Sequence, residues 1–294
     1  MTLMAVNAPA GPESMPENAP ENAPAEAREA AQDQAEAREA AQDQAEAREA
    51  VQDQAGAAHG TLKILSFNVR QWTRDVDAGS ATFWRTRMEA MRRMIDDVDP
   101  DVICLQEFMA PVGRYIPDGY RRVGATVSHP IFVRKGLETS GHAASIFWDA
   151  CMVGDVEVIN VHSRWESEVI ERTVAAVNGR VAALAKAAAR AAGGVAAPAP
   201  RVVACGDFNC SLATLRKHGL TMASAREVLG VPEVDTFANF TKASSHGAID
   251  HFFVSGVMPV TYRMVTEPYG AAPEGASGTF KMSDHFPICL EIAW

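Results

Sequence analysis

The sequence predicts a layered domain of the α/β or α+β class that begins near residue 60. Short apolar runs of strand length are separated by polar turns, and two longer stretches have the apolar spacing of amphipathic helices. The last two predicted strands follow each other without a long helix between them. Together these features favour packed layers of helices and sheets over an all-β barrel.

Six segments predict strands because they are rich in valine and isoleucine and have the length of a strand. They are residues 62–67, 101–106, 156–161, 201–206, 252–256 and 287–294. Two other segments predict helices. Residues 84–98 carry methionine, isoleucine and valine at helical spacing and are closed by Pro100, while residues 168 to about 192 end at Gly193 and Gly194.

The first 59 residues form a separate segment of low complexity. A ten-residue unit, AEAREAAQDQ, occurs three times between Ala25 and Gln54, with one Ala-to-Val change in the last copy. The units are good helix formers, but their side chains larger than alanine are polar apart from Val51, so no apolar stripe can be buried. We therefore expect residues 1–59 to be a disordered or partly helical tail on a domain of residues 60–294.

Most of the net charge lies in this tail. The tail holds three basic and twelve acidic residues, whereas the remainder carries a net charge of only −1. A nearly neutral domain lacks the broad basic field on which non-specific DNA binding relies. The charge distribution therefore mildly disfavours a bulk nuclease.

The five cysteines form no CxxC pair and are odd in number, so they indicate neither a zinc site nor a disulfide framework. No stretch of about 18 apolar residues is present, and the N-terminal residues lack the basic start and long apolar centre of a signal peptide. We expect a cytoplasmic monomer without a transmembrane segment.

Polar side chains stand at the ends of the predicted strands. Those that close the first four strands are Asn68, then Glu107, then Asn160 and His162, then Asp207 and Asn209. Those that precede the last two strands are Asp250, then Asp284 and His285. If the last two strands run opposite to their neighbours, all six groups meet at one edge of the sheets.

The chemistry of this set favours phosphoryl hydrolysis. Carboxylate and amide oxygens without a thiolate suit a hard cation such as Mg²⁺ or Mn²⁺. Histidines transfer protons near neutral pH, and cleavage of a phosphoester needs both an activated water and neutralisation of charge on the phosphoryl oxygens. The set fits this reaction better than acyl transfer or redox chemistry.

Six motifs carry a resemblance to a known family. In order, they are SFNVR (66–70), ICLQE (103–107), INVH (159–162), CGDFN (205–209), IDHFFVS (249–255) and SDHFPI (283–288). They resemble the signature segments of the endonuclease/exonuclease/phosphatase superfamily, which includes pancreatic deoxyribonuclease, exonuclease III, neutral sphingomyelinase, inositol-polyphosphate 5-phosphatase and bacterial metal-dependent hydrolases. The resemblance covers residues 61–294 and implies a catalytic domain with a four-layer α/β sandwich, in which two packed mixed β-sheets are flanked by helices.

The resemblance also implies roles for the matching residues around the metal. Glu107 would be the main ligand of Mg²⁺ or Mn²⁺. Asn68 would stand beside it, either as a second ligand or as a hydrogen-bond partner. Asp284 would complete the neighbourhood of the metal or orient its water.

The remaining motif residues would handle protons and phosphate. His285 would act as general base toward the attacking water or stabilise the transition state, with Asp250 fixing its tautomer. Asp207 and Asn209 would orient the nucleophile and the phosphoryl oxygens, and His162 would protonate the leaving group. Members of the superfamily differ in which group deprotonates the water, so the choice between His285 and Asp207 stays open.

Three residues are additional candidates for substrate contact, namely Arg70, Asn160 and Arg164. A strand-end asparagine such as Asn160 can equally be a structural cap. Bacterial members, in which an arginine near the metal can contact phosphate, have similar residues at the positions of Arg70, Trp84 and Arg87. The alternative is a buried tryptophan and a solvated arginine.

The other histidines are expected to have no catalytic role. His251 should be structural because an adjacent strand residue points to the opposite face. Four others in residues 60–294, which we expect on the surface or in loops, are His129, His142, His218 and His246.

Two departures from the superfamily concern the substrate. The segment between Glu107 and Asn160 is short, and His162 is followed by SRWE where many bacterial relatives continue with leucine and an acidic residue or histidine. We expect a metal-dependent phosphoester hydrolase, as a phosphodiesterase or nuclease acting on nucleic acid or nucleotides. The alternatives are an inositol-phosphate or phospholipid phosphatase or a sphingomyelinase-like enzyme, favoured by a basic pocket of Arg70, Arg87, Arg134, Lys135 and Arg164, and a non-catalytic binding module.

Overall fold

The computed structural model of the chain describes residues 60–109, 111–124, 126–193, 197–238, 240, 247–267, 269–270 and 281–294. The prediction for the tail, residues 1–59, lies outside these ranges. Within them, no helix combines the length and the apolar character that a membrane crossing requires.

The described residues contain twelve strands and four α-helices. The strands are Thr61–Asn68 (β1), Val102–Gln106 (β2), Tyr120–Val123 (β3), Ile131–Arg134 (β4), Thr139–Ala144 (β5), Trp148–Val153 (β6), Val156–His162 (β7), Val202–Asp207 (β8), Ala223–Ser224 (β9), Asp250–Ser255 (β10), Met258–Met264 (β11) and Ile288–Ala293 (β12). The helices are Trp84–Val98 (α1), Ser167–Ala191 (α2), Leu212–Lys217 (α3) and Ala225–Val228 (α4). Short 3₁₀ turns cover Trp72–Arg74 and Val112–Tyr115.

The strands form two six-stranded mixed sheets. The first has the order β11-β12-β1-β2-β4-β3, and the second has the order β5-β6-β7-β8-β10-β9. Each sheet has a parallel pair at its centre, β1 with β2 and β7 with β8. Strands β12 and β10 run antiparallel to β1 and β8, which is the arrangement required for the six polar groups to meet at one edge.

Apolar side chains join these elements into four layers. One cluster, including Ile64, Val158 and Phe252, fills the space between the two sheets. Helix α1 covers the outer face of the first sheet with its methionines. Helix α2 covers the outer face of the second sheet through Ile170 and Val174. The prediction of a four-layer α/β sandwich is therefore confirmed.

The predicted elements all exist, with boundaries that differ by one or two residues. The sequence did not predict strands β3 to β6, which occupy the segment between Glu107 and Asn160. Strand β5 has the sequence TSGHAA and is mostly exposed, so it carries no apolar pattern. This segment is therefore structured in spite of its short length, and it completes one edge of each sheet.

Gly206 shows how tightly the strands approach each other below the site. Its φ angle is 138°, and a Cβ atom at this position would lie 1.9 Å from the carbonyl oxygen of Val161. Only glycine tolerates both conditions. The glycine of the CGDFN motif is therefore required by the packing of β8 against β7.

Replacing Gly206 with alanine should lower the free energy of unfolding by at least about 2 kcal/mol, because it adds backbone strain and a steric clash. Gly119→Ala is the matched control, since a Cβ atom there meets nothing within 4 Å. Urea unfolding of both variants measures the difference. Equal midpoints for the two variants would contradict this account of the close approach.

Candidate active site

Strand register places three candidate residues side by side. Asp207 ends β8, and it lies opposite His162 on β7 and opposite Asp250 on β10. Residues in register on neighbouring strands project to the same face of a sheet. The three motifs that contain these residues therefore contribute to one site because of the backbone pairing itself.

His285 completes this group from the loop before β12. Its Nδ1 lies 2.9 Å from Oδ2 of Asp250, and its Nε2 lies 3.8 Å from Oδ2 of Asp207. Nε2 of His162 lies 3.9 Å from the same oxygen of Asp207. The carboxylate of Asp207 is thus flanked by two histidines, of which one is backed by a second carboxylate.

Two backbone ties fix the position of His285. The amide of Phe286 donates to the carbonyl of Thr236, and the amide of Ala238 donates to the carbonyl of Asp284. The hydroxyl of Thr236 accepts hydrogen bonds from the amides of Ile249 and Asp250. Thr236 therefore links the loop of His285 to the start of β10, although no motif in the sequence marks it.

Burial and neighbouring charge shift the pKa values of this group. Burial alone would lower the pKa of His285, but the carboxylates of Asp250 and Asp207 outweigh it and raise this pKa to about 10. Burial raises the pKa of the Asp207 carboxyl, although the histidines and Asn68 partly offset it. In the absence of metal, His285 is therefore a cation at neutral pH, held between two carboxylates.

Glu107 occupies the next position along the edge. Its Oε2 accepts a 2.8 Å hydrogen bond from the amide of Gln71, and its Oε1 lies 3.4 Å from Nδ2 of Asn68. The same Nδ2 donates to Asp207 at 2.9 Å, while Oδ1 of Asn68 accepts from the amide of Arg70. Asn68 is therefore a hydrogen-bond link between Glu107 and Asp207 in this arrangement.

Asp284 is held by a network of arginines. Nη1 of Arg70 forms a close ion pair with Oδ2 of Asp284, and Nε of Arg70 donates to Asp75 at 2.9 Å. Arg87, which is fully buried, donates to the same oxygen of Asp75 and to the carbonyls of Val69 and Met282. Asp75 thus joins both arginines and orients the one that reaches Asp284.

This network corrects part of the prediction for Trp84 and Arg87. Trp84 is buried against Trp72 and Tyr115, as the structural alternative held. Arg87, however, is neither solvated nor in the cavity. Burial lowers its pKa to about 10, which still leaves it charged at neutral pH, and it acts through Asp75.

Backbone strain is concentrated at the site. Within the described residues, four residues other than glycine have a positive φ angle, and three of them are Arg70 (52°), Glu107 (53°) and Asn209 (53°). Such conformations persist where surrounding contacts hold them, and they cluster at functional sites. The strain here turns the chain immediately after β1, β2 and β8, and thereby directs the polar groups into one space.

The polar groups line a cavity of about 860 Å³. Its lining includes most of the predicted site residues, namely Arg70, Glu107, His162, Arg164, Asp207, Asn209, Asp284 and His285. Asn209 is further held by a hydrogen bond from its Nδ2 to the carbonyl of Ser163. The volume is in the range of small-molecule sites in proteins.

Asn160 does not belong to this cavity, so its predicted substrate contact is wrong. It is fully buried, and its Nδ2 donates to the carbonyls of Leu105, His129 and Pro130 while its Oδ1 accepts from Gln106. All of its polar atoms are thereby used by the protein. Asn160 ties the two sheets together below the site.

The basic pocket that would favour a phosphatase is also only partly formed. Arg70 and Arg164 line the cavity, together with Arg74, which the sequence analysis missed. Arg134 instead pairs with Asp99 and Asp101 at the opposite end of the sheet, and Lys135 follows it. Among the described lining residues, the positive charge thus comes from three arginines and from His285.

The other histidines divide between the core and the surface. His251 packs against Phe208 and Phe253, and its Nε2 donates to the carbonyl of Cys210, in agreement with a structural role. His129 lies in the loop between β3 and β4, as one of the two predicted alternatives held, and it is buried there. His142 pairs with the buried Asp149, and His246 lies outside the described residues.

The donor set at the cavity fits a hard divalent cation. Glu107 and Asp284 offer carboxylate oxygens, and no cysteine is among the described lining residues. A second group, Asp207, Asp250 and His285, has ligand atoms within 4.8 Å of one another. Within that group, Nδ1 of His285 already forms a hydrogen bond with Asp250.

Replacing Arg87 with methionine should lower the free energy of unfolding by about 3 to 5 kcal/mol, because Asp75 and two buried carbonyls lose their partner. Arg70→Met is the matched control. Arg70 is partly exposed, so its loss should cost less stability while releasing Asp284. Urea unfolding of both variants checks this, and a wild-type midpoint for Arg87→Met would show that the network is not required.

Replacing Asp250 with asparagine should bring the pKa of His285 well below 10, since it removes the nearest negative charge. NMR titration of the histidines in metal-free protein measures it, with Glu291→Gln as a surface control. Because folding raises this pKa, the pair stabilises the fold at neutral pH and loses that contribution as the pH rises toward 10. An unchanged His285 titration would refute the proposed pairing.

Several solved structures share this fold. A truncated Caenorhabditis elegans TDP2 has a TM-score of 0.57 and 20% identity, over 80% of this chain and 98% of that chain. A mannosyl-6-phosphatase from Bacteroides thetaiotaomicron has a TM-score of 0.60 and 20% identity, over 79% of this chain and 100% of that chain. A D. rerio TDP2 complexed with a single-strand DNA product has a TM-score of 0.57 and 17% identity, over 80% of this chain and 100% of that chain.

The family model that matches the sequence covers residues 65–285, and these residues contain the first five motifs and the sixth as far as His285. Among curated proteins, no sequence matches the chain. The likeness to the solved structures, at these identities, establishes the fold, and the family match covers most of the chain. The chain therefore belongs to the Endonuclease/Exonuclease/phosphatase family, whose members are phosphoester hydrolases.

Proposed function

We propose that the cavity hydrolyses a phosphodiester by in-line attack of water on phosphorus. The observation that carries this proposal is the position of Asp207 between two histidines, with one imidazole nitrogen of each less than 4 Å from the same carboxylate oxygen. In-line displacement needs proton transfer on both sides of the phosphorus atom. Asp207 can accept the proton of the water and His162 can supply one to the leaving group, while His285 stabilises negative charge.

On the side of the attacking water, Asp207 and His285 share the work. The raised pKa of Asp207 makes it a stronger base than an exposed carboxylate, and its Oδ1 and Oδ2 are fixed by Asn209 and Asn68. His285, kept cationic by Asp250, donates a hydrogen bond from Nε2 to a phosphoryl oxygen or to the water. This division favours Asp207 as the base and His285 as the group that stabilises negative charge.

On the other side, His162 is the proton donor for the leaving group. It is partly exposed in the cavity, and its register with Asp207 fixes the base of its side chain. An imidazole in this position can protonate the departing oxygen as the bond to phosphorus breaks. Arg164, which lines the cavity in the same segment, is available to bind phosphate oxygens.

Glu107 and Asp284 are the residues that would hold a Mg²⁺ or Mn²⁺ ion. Such an ion would neutralise charge on the phosphoryl oxygens. The hydrogen bonds of Glu107 to Gln71 and Asn68, and the ion pair of Asp284 with Arg70, hold the two carboxylates in place. The fixed carboxylates reduce the reorganisation that metal binding would require.

A second candidate is a phosphatase that acts on a phosphomonoester. The arginines Arg70, Arg74 and Arg164 at the cavity favour it, because a dianionic phosphate or a second phosphate group would need several cations. The similar fold of a mannosyl-6-phosphatase supports hydrolysis of a phosphomonoester. The similar fold of TDP2, complexed with a single-strand DNA product, supports hydrolysis of a phosphodiester. A comparison of mononitrophenyl and bis-nitrophenyl phosphate separates the two.

Glu107→Gln should reduce the hydrolysis of bis-p-nitrophenyl phosphate with Mg²⁺ or Mn²⁺ to background, and His285→Ala should reduce it at least ~100-fold. The matched controls are Glu291→Gln and His218→Ala, which make the same changes away from the cavity and should keep wild-type rates. Circular dichroism checks that each variant is folded. Wild-type turnover in Glu107→Gln and His285→Ala would refute the mechanism.

A further inference from the structure

The rim of the cavity on the side of His162 carries an exposed apolar surface. Six large apolar side chains are exposed among the described residues, and three of them lie here. Trp165, 74% exposed, and Val127, 65% exposed, line the cavity. Ile146 precedes Phe147, whose carbonyl accepts a hydrogen bond from the amide of His162.

Trp165 is held at this rim by its neighbours in the chain. The amide of Ser163 donates to the carbonyl of Asp207, and the carbonyl of Ser163 accepts from Asn209. On the other side, the carbonyl of Glu166 accepts from the amides of Val169 and Ile170 at the start of α2. The indole therefore projects from a backbone that is anchored at both ends and connected to the catalytic group.

No packing role accounts for this side chain. Within the part of the chain that the structure describes, Trp165 makes no ring contact with another aromatic residue and no cation–π contact with an arginine. Large aromatic side chains usually bury much of their surface, so an exposed indole at the mouth of a catalytic cavity is a feature of recognition. It also belongs to the SRWE segment, which departs from the superfamily pattern.

The chemistry around the indole selects a planar ring over an acyl chain. A lipid chain needs a continuous apolar groove along its length. Next to Trp165 in the chain the lining residues are Ser163, Arg164 and Glu166, which are polar, although Val127 adds apolar surface at the same rim. A flat ring needs only one apolar face, with cations nearby for its phosphate. The face of an indole stacks on any nucleobase or aryl group, without reading its edges.

We propose that Trp165 determines specificity by stacking on a planar aromatic ring in the leaving group of the substrate, which is a nucleobase or an aryl alcohol. The assignment rests on the proposed function, because His162 marks the leaving-group side only if His285 and Asp207 face the water. In an in-line displacement the leaving group departs opposite the attacking water. Trp165 is three residues beyond His162 and lines the same side of the cavity.

The first test compares leaving groups with and without a ring. The substrates are the dinucleotide TpT, the p-nitrophenyl ester of thymidine 5′-phosphate and, as the ester without a ring, the ethyl ester of methyl phosphate. Trp165→Ala should lower kcat/KM about 10-fold for the first two, mainly through KM, and leave the ethyl ester unchanged. Trp165→Phe should retain most of the wild-type value, and Val228→Ala, an exposed apolar residue outside the lining, should match wild type.

The substrate arms distinguish the two sources of the ring. A loss confined to TpT identifies a nucleobase, and a loss confined to the p-nitrophenyl ester identifies an aryl alcohol. An equal loss for all three esters, or no loss for any, overturns the proposal. The last measurement is sedimentation of the protein with vesicles of phosphatidylcholine and phosphatidylglycerol. The proposal is also overturned if vesicle binding depends on Trp165 while the enzyme shows no preference for esters with a ring.

A binding measurement separates this proposal from the proposed function. Calorimetry compares p-nitrophenyl methylphosphonate with ethyl methylphosphonate, neither of which needs to be turned over. Wild type should bind the ring compound about 10-fold more tightly, and Trp165→Ala should remove this preference. If wild type hydrolyses none of the esters, the proposed function fails, while an equal affinity for the two phosphonates in wild type overturns the role of Trp165.

Discussion

The buried carboxylate of Asp207 is the constraint on which the rest of the site depends. A carboxylate in the protein interior is costly unless its oxygens are hydrogen-bonded or paired with charge. Here one oxygen accepts from the amide of Asn209, and the other accepts from Asn68 and faces both histidines. The groups that compensate this burial are the ones that the proposed reaction uses, so stability and chemistry come from the same contacts.

The two packed sheets supply these partners from distant parts of the chain. Asn68 comes from the first sheet, whereas Asp207 and its in-register neighbours come from the second. Below the site, Gln106 and Asn160 form a 2.7 Å hydrogen bond that joins the sheets. The geometry around Asp207 therefore depends on the sandwich as a whole, and Gly206 allows the strands to approach closely enough for it.

The sequence predicted the residues that belong to contiguous motifs better than those that act through tertiary contacts. Glu107 directly follows β2 and Asp284 precedes β12, each in a recognisable segment. The antiparallel direction of β10 and β12 brings the last two motifs to the edge where the first four end. Asp75 and Thr236 had no such signal, because each works through a partner far along the chain. Asn160 was misassigned because a strand-end asparagine looks the same in sequence whether it faces a cavity or a neighbouring sheet.

The weakly patterned strands were missed for a related reason. Strands β3 and β5 lie at sheet edges. Strand β5 is largely exposed and β3 is mostly half-buried, so burial imposes little alternation on their residues. Arg87 was mispredicted for a different reason, because a charged residue on a helix is usually solvated. Here it is fully buried, and it contacts one carboxylate and two carbonyls. Its environment is set by packing between loops, which local sequence does not encode.

The central claim is that the site directs a water molecule onto phosphorus. Hydrolysis of the p-nitrophenyl ester of thymidine 5′-phosphate in oxygen-18-labelled water, followed by mass spectrometry of both products, tests it most directly. The account predicts that the label enters the thymidine 5′-phosphate and that none enters the p-nitrophenol. Label in the p-nitrophenol would mean attack at carbon and would contradict the account.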